Sequence, residues 1–329
     1  MVKILKTKSI WFNDFVIIPK LGKVRSRKEF SKEFWRFVAS PMNSVVGQTF
    51  AKTATDLGIT VCIPRFLGIE KESNIFYSCS NKNNLYCSMG LNDKDRIIEF
   101  NKVGCKNFLI DIASGYLPHI EETVKLLVDN TNIKRIILGN IVNHEGYIYL
   151  NNISRKYNLP NIIRCGLSNG SGCETYSQTG IGRGAASELW ECYEEKKYHP
   201  NSFLASDGGL KDGGYVSKAL LSGADYCFIG GIFAHSLESE THISGDSTYF
   251  GLASEKNQIL STGKKFRHSE GIEYKIDRKK LKPLSEIVND LWGCVTSSFS
   301  YSGFKTISEG IGNGTFEIKL NSLAPRQRY

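Results

Sequence analysis

The sequence reads as an α/β chain folded into a (β/α)₈ barrel, on three observations: eight short apolar runs, helix-like stretches between them, and chemistry-bearing residues where the runs end. The runs are Phe37-Val38-Ala39, Thr60 to Ile63, Leu85 to Cys87, Phe108 to Asp111, Ile136 to Leu138, Ile162 to Cys165, Phe203 to Ser206 and Tyr226 to Ile229. Runs this short, apolar on both faces and rich in Ile, Val, Phe and Leu, suit parallel strands covered on both sides. Between them, Pro118 to Val128 carries Ile120, Val124 and Leu127 at helical spacing, with Pro118 near its start. Ala185 to Lys197 and Tyr215 to Ser222 read likewise, the latter stopped by Gly223. An open doubly wound sheet is the competing architecture. The barrel predicts unusual residues at strand ends, and there lie Ser40-Pro41-Met42-Asn43, Pro64-Arg65, Asp111, Gly139-Asn140, Gly166 to Cys173, Ser206 to Gly209 and Gly230-Gly231. Eight βα units use nearly all of the 329 residues, so residues 1–329 are expected to form one barrel domain. Residues 235–283, too long for an ordinary βα loop, are expected to be a flap-like excursion after strand eight, over the barrel mouth.

Composition narrows the function classes. With 41% hydrophobic and 23% charged residues, the chain has ample apolar content and is neither disordered nor fibrous in type. No apolar run approaches the roughly 18–20 residues that span a bilayer, and the start lacks a signal-like apolar segment, so a cytoplasmic protein with no membrane partner is expected. Nine scattered cysteines without a C-x-x-C pair suit reduced thiols better than a disulfide framework. The net charge of +9 raises nucleic acid as a partner. Its positives, however, come in short runs without interleaved aromatics, so no nucleic acid and instead a phosphorylated small molecule is expected.

Three constellations carry chemistry. Ser206-Asp207-Gly208-Gly209, followed after a helix by Gly230-Gly231, would close strands seven and eight. That is where barrels commonly hold a phosphate on backbone N–H groups, and Asp207 could accept from ribose hydroxyls. Gly166-Leu-Ser-Asn-Gly-Ser-Gly-Cys173-Glu-Thr175 is a small-residue loop in which Cys173 has no apolar face to join, unlike Cys62, Cys165, Cys192 and Cys227 in apolar surroundings. Cys173 is therefore the candidate nucleophile, with Thr175 close enough to assist proton transfer. Phe266-Arg267-His268-Ser269-Glu270-Gly271, in the excursion, offers Arg267 as an anion or carbonyl grip and Glu270 as a proton donor or acceptor.

In this order, the three pieces resemble the IMP dehydrogenase/GMP reductase family of (β/α)₈ barrels, from Phe12 to about Leu320. Asn13-Asp14-Phe15-Val16, Asp111-Ile-Ala-Ser-Gly-Tyr116, Leu138-Gly-Asn-Ile141 and Phe250-Gly-Leu-Ala-Ser254 are similar to family positions as well. No regulatory insertion fits between Ile63 and Leu85, and no Arg-Tyr pair, which the dehydrogenase uses to activate water, occurs in residues 235–283. Asp111 to Tyr116 is similar to the reductase's D-V-A-N-G-Y and Arg267 to Gly271 to its R-A-S-E-G, so the resemblance is closest to GMP reductase. It implies NADPH-dependent reductive deamination of GMP, or a related guanine nucleotide, to IMP and ammonia through a covalent intermediate on Cys173. Thr175 and Glu270 would form the proton relay. Ser171, Asp207, Gly209, Gly230 and Gly231 would hold ribose and phosphate, and Ser254 and Arg267 the base side. Asp111, Ser114, Gly115 and Asn140 would face the cofactor. K+ would sit on the backbone carbonyls of Ser168, Gly170 and Cys173, in a homotetramer. The alternatives are an IMP dehydrogenase without regulatory domains (NAD-dependent), a purine-nucleotide-binding paralogue without turnover, and a flavin-dependent barrel that leaves Cys173 without a role.

The chain departs from the family at specific positions. Where the family loop reads G-P-G-S-V/I-C-T-T, this one reads Ser168-Asn169-Gly170-Ser171-Gly172-Cys173-Glu174-Thr175. Losing the proline and gaining Gly172 is expected to loosen the loop, and Glu174 puts a negative charge beside Cys173. The reductase's I-H-K-H stretch is Ile63-Pro64-Arg65-Phe66, and the methionine of its G-M-S-S is Leu252.

Overall fold

The computed structural model describes residues 8–170, 172–264 and 268–319. Its centre is a closed barrel of eight parallel strands. A short strand β1 (Phe15–Ile17) precedes them; the barrel strands are β2 (Phe37–Ala39), β3 (Thr60–Ile63), β4 (Leu85–Met89), β5 (Asn107–Ile110), β6 (Arg135–Ile141), β7 (Asn161–Cys165), β8 (Ser202–Asp207) and β9 (Tyr226–Ile229). Closure is made by β2 on β9, with Phe37 opposite Cys227 and Ala39 opposite Ile229. Every one of the eight apolar runs is a barrel strand, and the open-sheet alternative falls away.

Alternation along the strands builds two cores. Val38, Cys62, Tyr86, Leu109, Ile137, Ile162, Ala205 and Phe228, one from each barrel strand, form a separate buried cluster inside the barrel. Their strand neighbours, among them Phe37, Ala39, Val61, Ile63, Phe108 and Ile163, join the larger cluster under the helices. Each strand therefore buries both faces.

The helices follow in alternation: α1 (Gln48–Asp56), α2 (Ile69–Ser78), α3 (Lys94–Lys102), α4 (His119–Asn130), α5 (His144–Lys156), a short α6 (Thr175–Thr179), α7 (Ala185–Lys196) and α8 (Gly213–Leu221). In α4, Pro118 stands at the N-cap and Ile120, Val124 and Leu127 are buried as their spacing requires. Helix α8 begins two residues before the predicted start because Asp212 caps it, accepting from Tyr215 N at 3.0 Å.

After β9 come α9 (Gly231–Ala234), α10 (Glu240–Ile243), β10 (Thr248–Phe250), α11 (Glu255–Thr262), β11 (Glu273–Lys275) and the long α12 (Leu284–Tyr301). Strands β10 and β11 pair antiparallel, Thr248 opposite Lys275 and Phe250 opposite Glu273. Strand β12 (Phe316–Ile318) returns to pair with β1, and Phe15 packs on Trp190 of α7 at 5.2 Å. No helix among the described residues is long and apolar enough to cross a membrane. All nine cysteines lie among the described residues and none is in a disulfide.

Candidate active site

The residue two beyond each interior residue points the same way, one layer higher at the strand ends. That layer holds Ser40, Ser88, Asp111, Arg164, Asp207 and Gly230, so charge sits directly on an apolar barrel core. Arg164 Nη1 donates to Asp111 Oδ1 at 3.1 Å; its Nη2 and Nε donate to Asp207 Oδ2 at 2.7 and 3.1 Å. Arg65 stands 3.6 Å from Asp111 Oδ2. Burial acts to lower the Arg164 pKa, but the charges of Asp207 and Asp111 more than offset that and raise it above the usual arginine value. Asn140 Nδ2 also donates to Asp207 Oδ2, at 2.7 Å, and to the Gly166 carbonyl at 2.5 Å. Three donors thus converge on one carboxylate oxygen of Asp207.

A cavity of about 880 Å³ opens above this floor, with Asp111, Asn140, Ser168, Gly170, Cys173, Thr175, Asp207, Gly209, Gly230, Gly231 and Glu270 in its wall. On one side lies the cysteine loop. The Cys173 thiol donates to Thr175 Oγ1 at 3.2 Å, and Thr175 Oγ1 donates to Glu270 Oε2 at 2.7 Å. The excursion brings Glu270 there: Glu174 N donates to the Glu270 carbonyl at 2.7 Å and Ile272 N to the Gly172 carbonyl at 3.1 Å. Gly172 fits this close approach, because a Cβ on it would lie 3.1 Å from the Tyr249 ring and 3.4 Å from Gly251.

Glycines make a further part of the wall, where Gly208 and Gly209 pack directly on the cysteine loop. Gly208 and Gly209 have φ of +81° and +73°, which side chains rarely adopt. A Cβ on Gly208 would lie 2.7 Å from Gly170 N, and one on Gly230 2.7 Å from Met42 Sδ. Glycines here put no side chain between the backbone and the cavity, which is what a backbone phosphate site needs.

Not every predicted residue reaches the cavity. Ser254 is fully buried, and its Oγ accepts from Asn257 N as the cap of α11. Ser114 and Gly115 lie beside the wall rather than in it, with Gly115 N donating to the Asn140 carbonyl at 2.7 Å. Ser171 and Arg267 lie outside the described residues. Arg164, the centre of the floor, lies inside the apolar run Ile162-Ile163-Arg164-Cys165, where a lone arginine is its one signal in the sequence.

Residues 10–322 match the IMP dehydrogenase / GMP reductase domain. The chain belongs to the IMP dehydrogenase/GMP reductase family. It is 26% identical to a GMP reductase of Buchnera aphidicola subsp. Acyrthosiphon pisum (strain Tuc7), over 93% of each chain. It is 27% identical to one of Buchnera aphidicola subsp. Schizaphis graminum (strain Sg) and 26% to one of Escherichia coli O81 (strain ED1a), again over 93% of each. The family consists of oxidoreductases that act on purine nucleotide monophosphates with a nicotinamide cofactor. Of the departures from the family loop, Gly172 lies against Tyr249 and Gly251, and Asn169 Nδ2 donates to Glu188 Oε2 at 2.8 Å.

Proposed function

We propose that the protein is a GMP reductase-like oxidoreductase that converts GMP, or a related guanine nucleotide, to IMP and ammonia with NADPH. The observation that carries this reading is the continuous chain from Cys173 Sγ through Thr175 Oγ1 to Glu270 Oε2, in the wall of the same cavity as Gly208-Gly209 and Gly230-Gly231. Backbone N–H groups at Gly208-Gly209 and Gly230-Gly231 would bind the phosphate, and Asp207 the ribose hydroxyls. Cys173, as thiolate, attacks C2 of the guanine. Thr175 and Glu270 pass a proton to the departing amine, so that ammonia leaves as the C2–N bond breaks. NADPH, when bound, supplies the hydride that reduces C2. Expulsion of Cys173 as thiolate then restores the enzyme and gives IMP.

The residues fit a nicotinamide group in one respect that is independent of family likeness. Asn140 Oδ1 is buried at the cavity wall without a hydrogen-bond partner, an acceptor suited to a carboxamide N–H. Asp111, in the same wall, would complete that side. The carbonyls of Ser168, Gly170 and Cys173 are hard oxygen donors suited to K+, and the Gly170 oxygen, which already accepts from Cys173 N at 3.0 Å, keeps a second lone pair for it. A homotetramer and a cytoplasmic setting belong to the same reading.

The test is to follow reduced-cofactor absorbance with GMP, dGMP and NADPH, alongside IMP with NAD. NADPH consumption with stoichiometric ammonia supports the reductase. NAD reduction by IMP alone moves the assignment to a dehydrogenase. Thermal stabilisation by purine nucleotides without any turnover marks a binding paralogue.

A further inference from the structure

Asn169 stands where the family loop has proline, and the residue that answers it comes from another element. Glu188, in the first turn of α7, is fully buried. Its Oε2 accepts from Asn169 Nδ2 at 2.8 Å, while Glu188 Oε1 and Asn169 Oδ1 are both buried without a partner. With that one N–H···O bond shared, the carboxylate and the amide each keep a buried acceptor oxygen that no hydrogen bond satisfies. A single proton satisfies both, since a neutral carboxyl group offers one donor and one acceptor, as the amide does.

We propose that Glu188 is a positioning residue of the cysteine loop: as the neutral acid it donates from Oε1 to Asn169 Oδ1 while accepting from Asn169 Nδ2, a reciprocal pair that takes the place of the family's proline. Burial pushes the Glu188 carboxyl up to about 8, with the Asn169 amide, the Leu167 N–H and the Arg183 charge pulling it back and Asp207 adding to the rise. The charged and titratable groups facing it are Arg183 ahead of α7, Asp207 on β8, and Cys165 on β7, whose thiol donates to Cys192 at 3.6 Å. Arg183 does not neutralise Glu188, because its guanidinium is paired with Glu191 at 2.5 Å.

The pair matters because of what Asn169 touches. A Cβ on Gly208 would lie 2.9 Å from the Asn169 carbonyl carbon, and one on Gly209 3.2 Å from its oxygen. One residue on, the Gly170 carbonyl accepts from Cys173 N. Asn169 is thus wedged between α7 and the Asp207-Gly208-Gly209 turn, and holds the thiol loop and the nucleotide turn at a fixed spacing. Proline would limit the backbone covalently; here a buried hydrogen-bonded pair does so, and it depends on a proton.

The experiment compares Glu188→Gln and Glu188→Leu in the full chain. The amide of the Gln variant keeps one donor and one acceptor, so its kcat is expected within about threefold of wild type, with the fall in kcat above pH 8 removed. The Leu variant should lose kcat by about 10- to 100-fold through misplacement of the loop. Site-specific alkylation of Cys173 by iodoacetamide, read by mass spectrometry, should change in the Leu variant and not in the Gln variant. A Gln variant as impaired as the Leu variant, or one that keeps the alkaline fall, overturns the proposal. Its kinetic arm rests on the reductase reading; the alkylation arm does not. If no guanine nucleotide is turned over, equal Cys173 alkylation rates in all three proteins overturn the positioning role alone. Should Glu188→Leu not fold, Asn169→Ala breaks the same pair from the loop side and carries the same expectations.

Discussion

Replacing Arg164 by Met tests the floor of the site without assuming any reaction. Arg164 and Arg65 face Asp111 and Asp207, so the floor is charge-balanced and the variant leaves one uncompensated negative charge. The three side chains that matter are 8, 7 and 14% exposed for Arg164, Asp111 and Asp207, so water screens little of that charge. Removing one partner of a buried ion pair costs about 3–5 kcal/mol, mostly because the remaining charge stays desolvated. Three hydrogen bonds and the Phe228 ring, 4.8 Å from the guanidinium, are lost together, which argues for the upper part of that range. For a chain of this size, at roughly 2 °C per kcal/mol, melting should fall by about 6–10 °C. Calorimetry with urea unfolding measures it. Arg164→Lys, which can reach only one carboxylate well, should fall between the two proteins. Adding Asp207→Asn to Arg164→Met removes the stranded charge and should restore more than half of the loss. A Met variant within about 1 kcal/mol of wild type, or a double variant no more stable than the single one, would refute the argument from buried charge.

Further outcomes follow from the same geometry. Cys173→Ala should abolish turnover while nucleotide binding, measured by calorimetric titration, changes little, because the proposed phosphate and ribose contacts are made by other residues, at Asp207 to Gly209 and Gly230-Gly231. Glu270→Gln should lower kcat by about 10²- to 10⁴-fold, the range for loss of a proton-transfer group, with KM nearly unchanged in steady-state assays. Gly166→Ala would put a Cβ 2.0 Å from the Asp207 carbonyl oxygen at φ +143°, and soluble, folded yield should collapse, as read by circular dichroism. Folding raises the Glu188 pKa, so the neutral acid's stability is fully present below the unfolded-state value and is lost as pH rises toward about 8. The stability of Glu188→Gln relative to wild type should therefore improve from pH 5 to 8, by an amount on the order of a few kcal/mol in urea titrations.

What was legible in the sequence is what local pattern encodes. Eight runs buried on both faces gave the barrel strands, although β2 and β9, which close it, are only three and four residues long. Helix α4 was legible from its apolar spacing, and the Gly208-Gly209 turn from glycine's own freedom. The small-residue loop set Cys173 apart, with Thr175 two positions away. Strand pairs β1–β12 and β10–β11 were not legible, since three-residue strands are defined by a partner far along the chain. Nor could spacing show that Ser254 spends its hydroxyl on capping α11, or that Gly172 is there to admit the excursion.

The sequence by itself determined the architecture and the kinds of group available, because hydrophobic period and backbone permissiveness belong to neighbouring residues. Only the tertiary structure decided which charges and donors meet. Glu270 reaches Thr175 across 95 positions, Arg164 on β7 joins Asp111 beyond β5 and Asp207 on β8, and Glu188 on α7 meets the Asn169 amide. Burial fixes the worth of each of those contacts, and burial exists only once the barrel has closed.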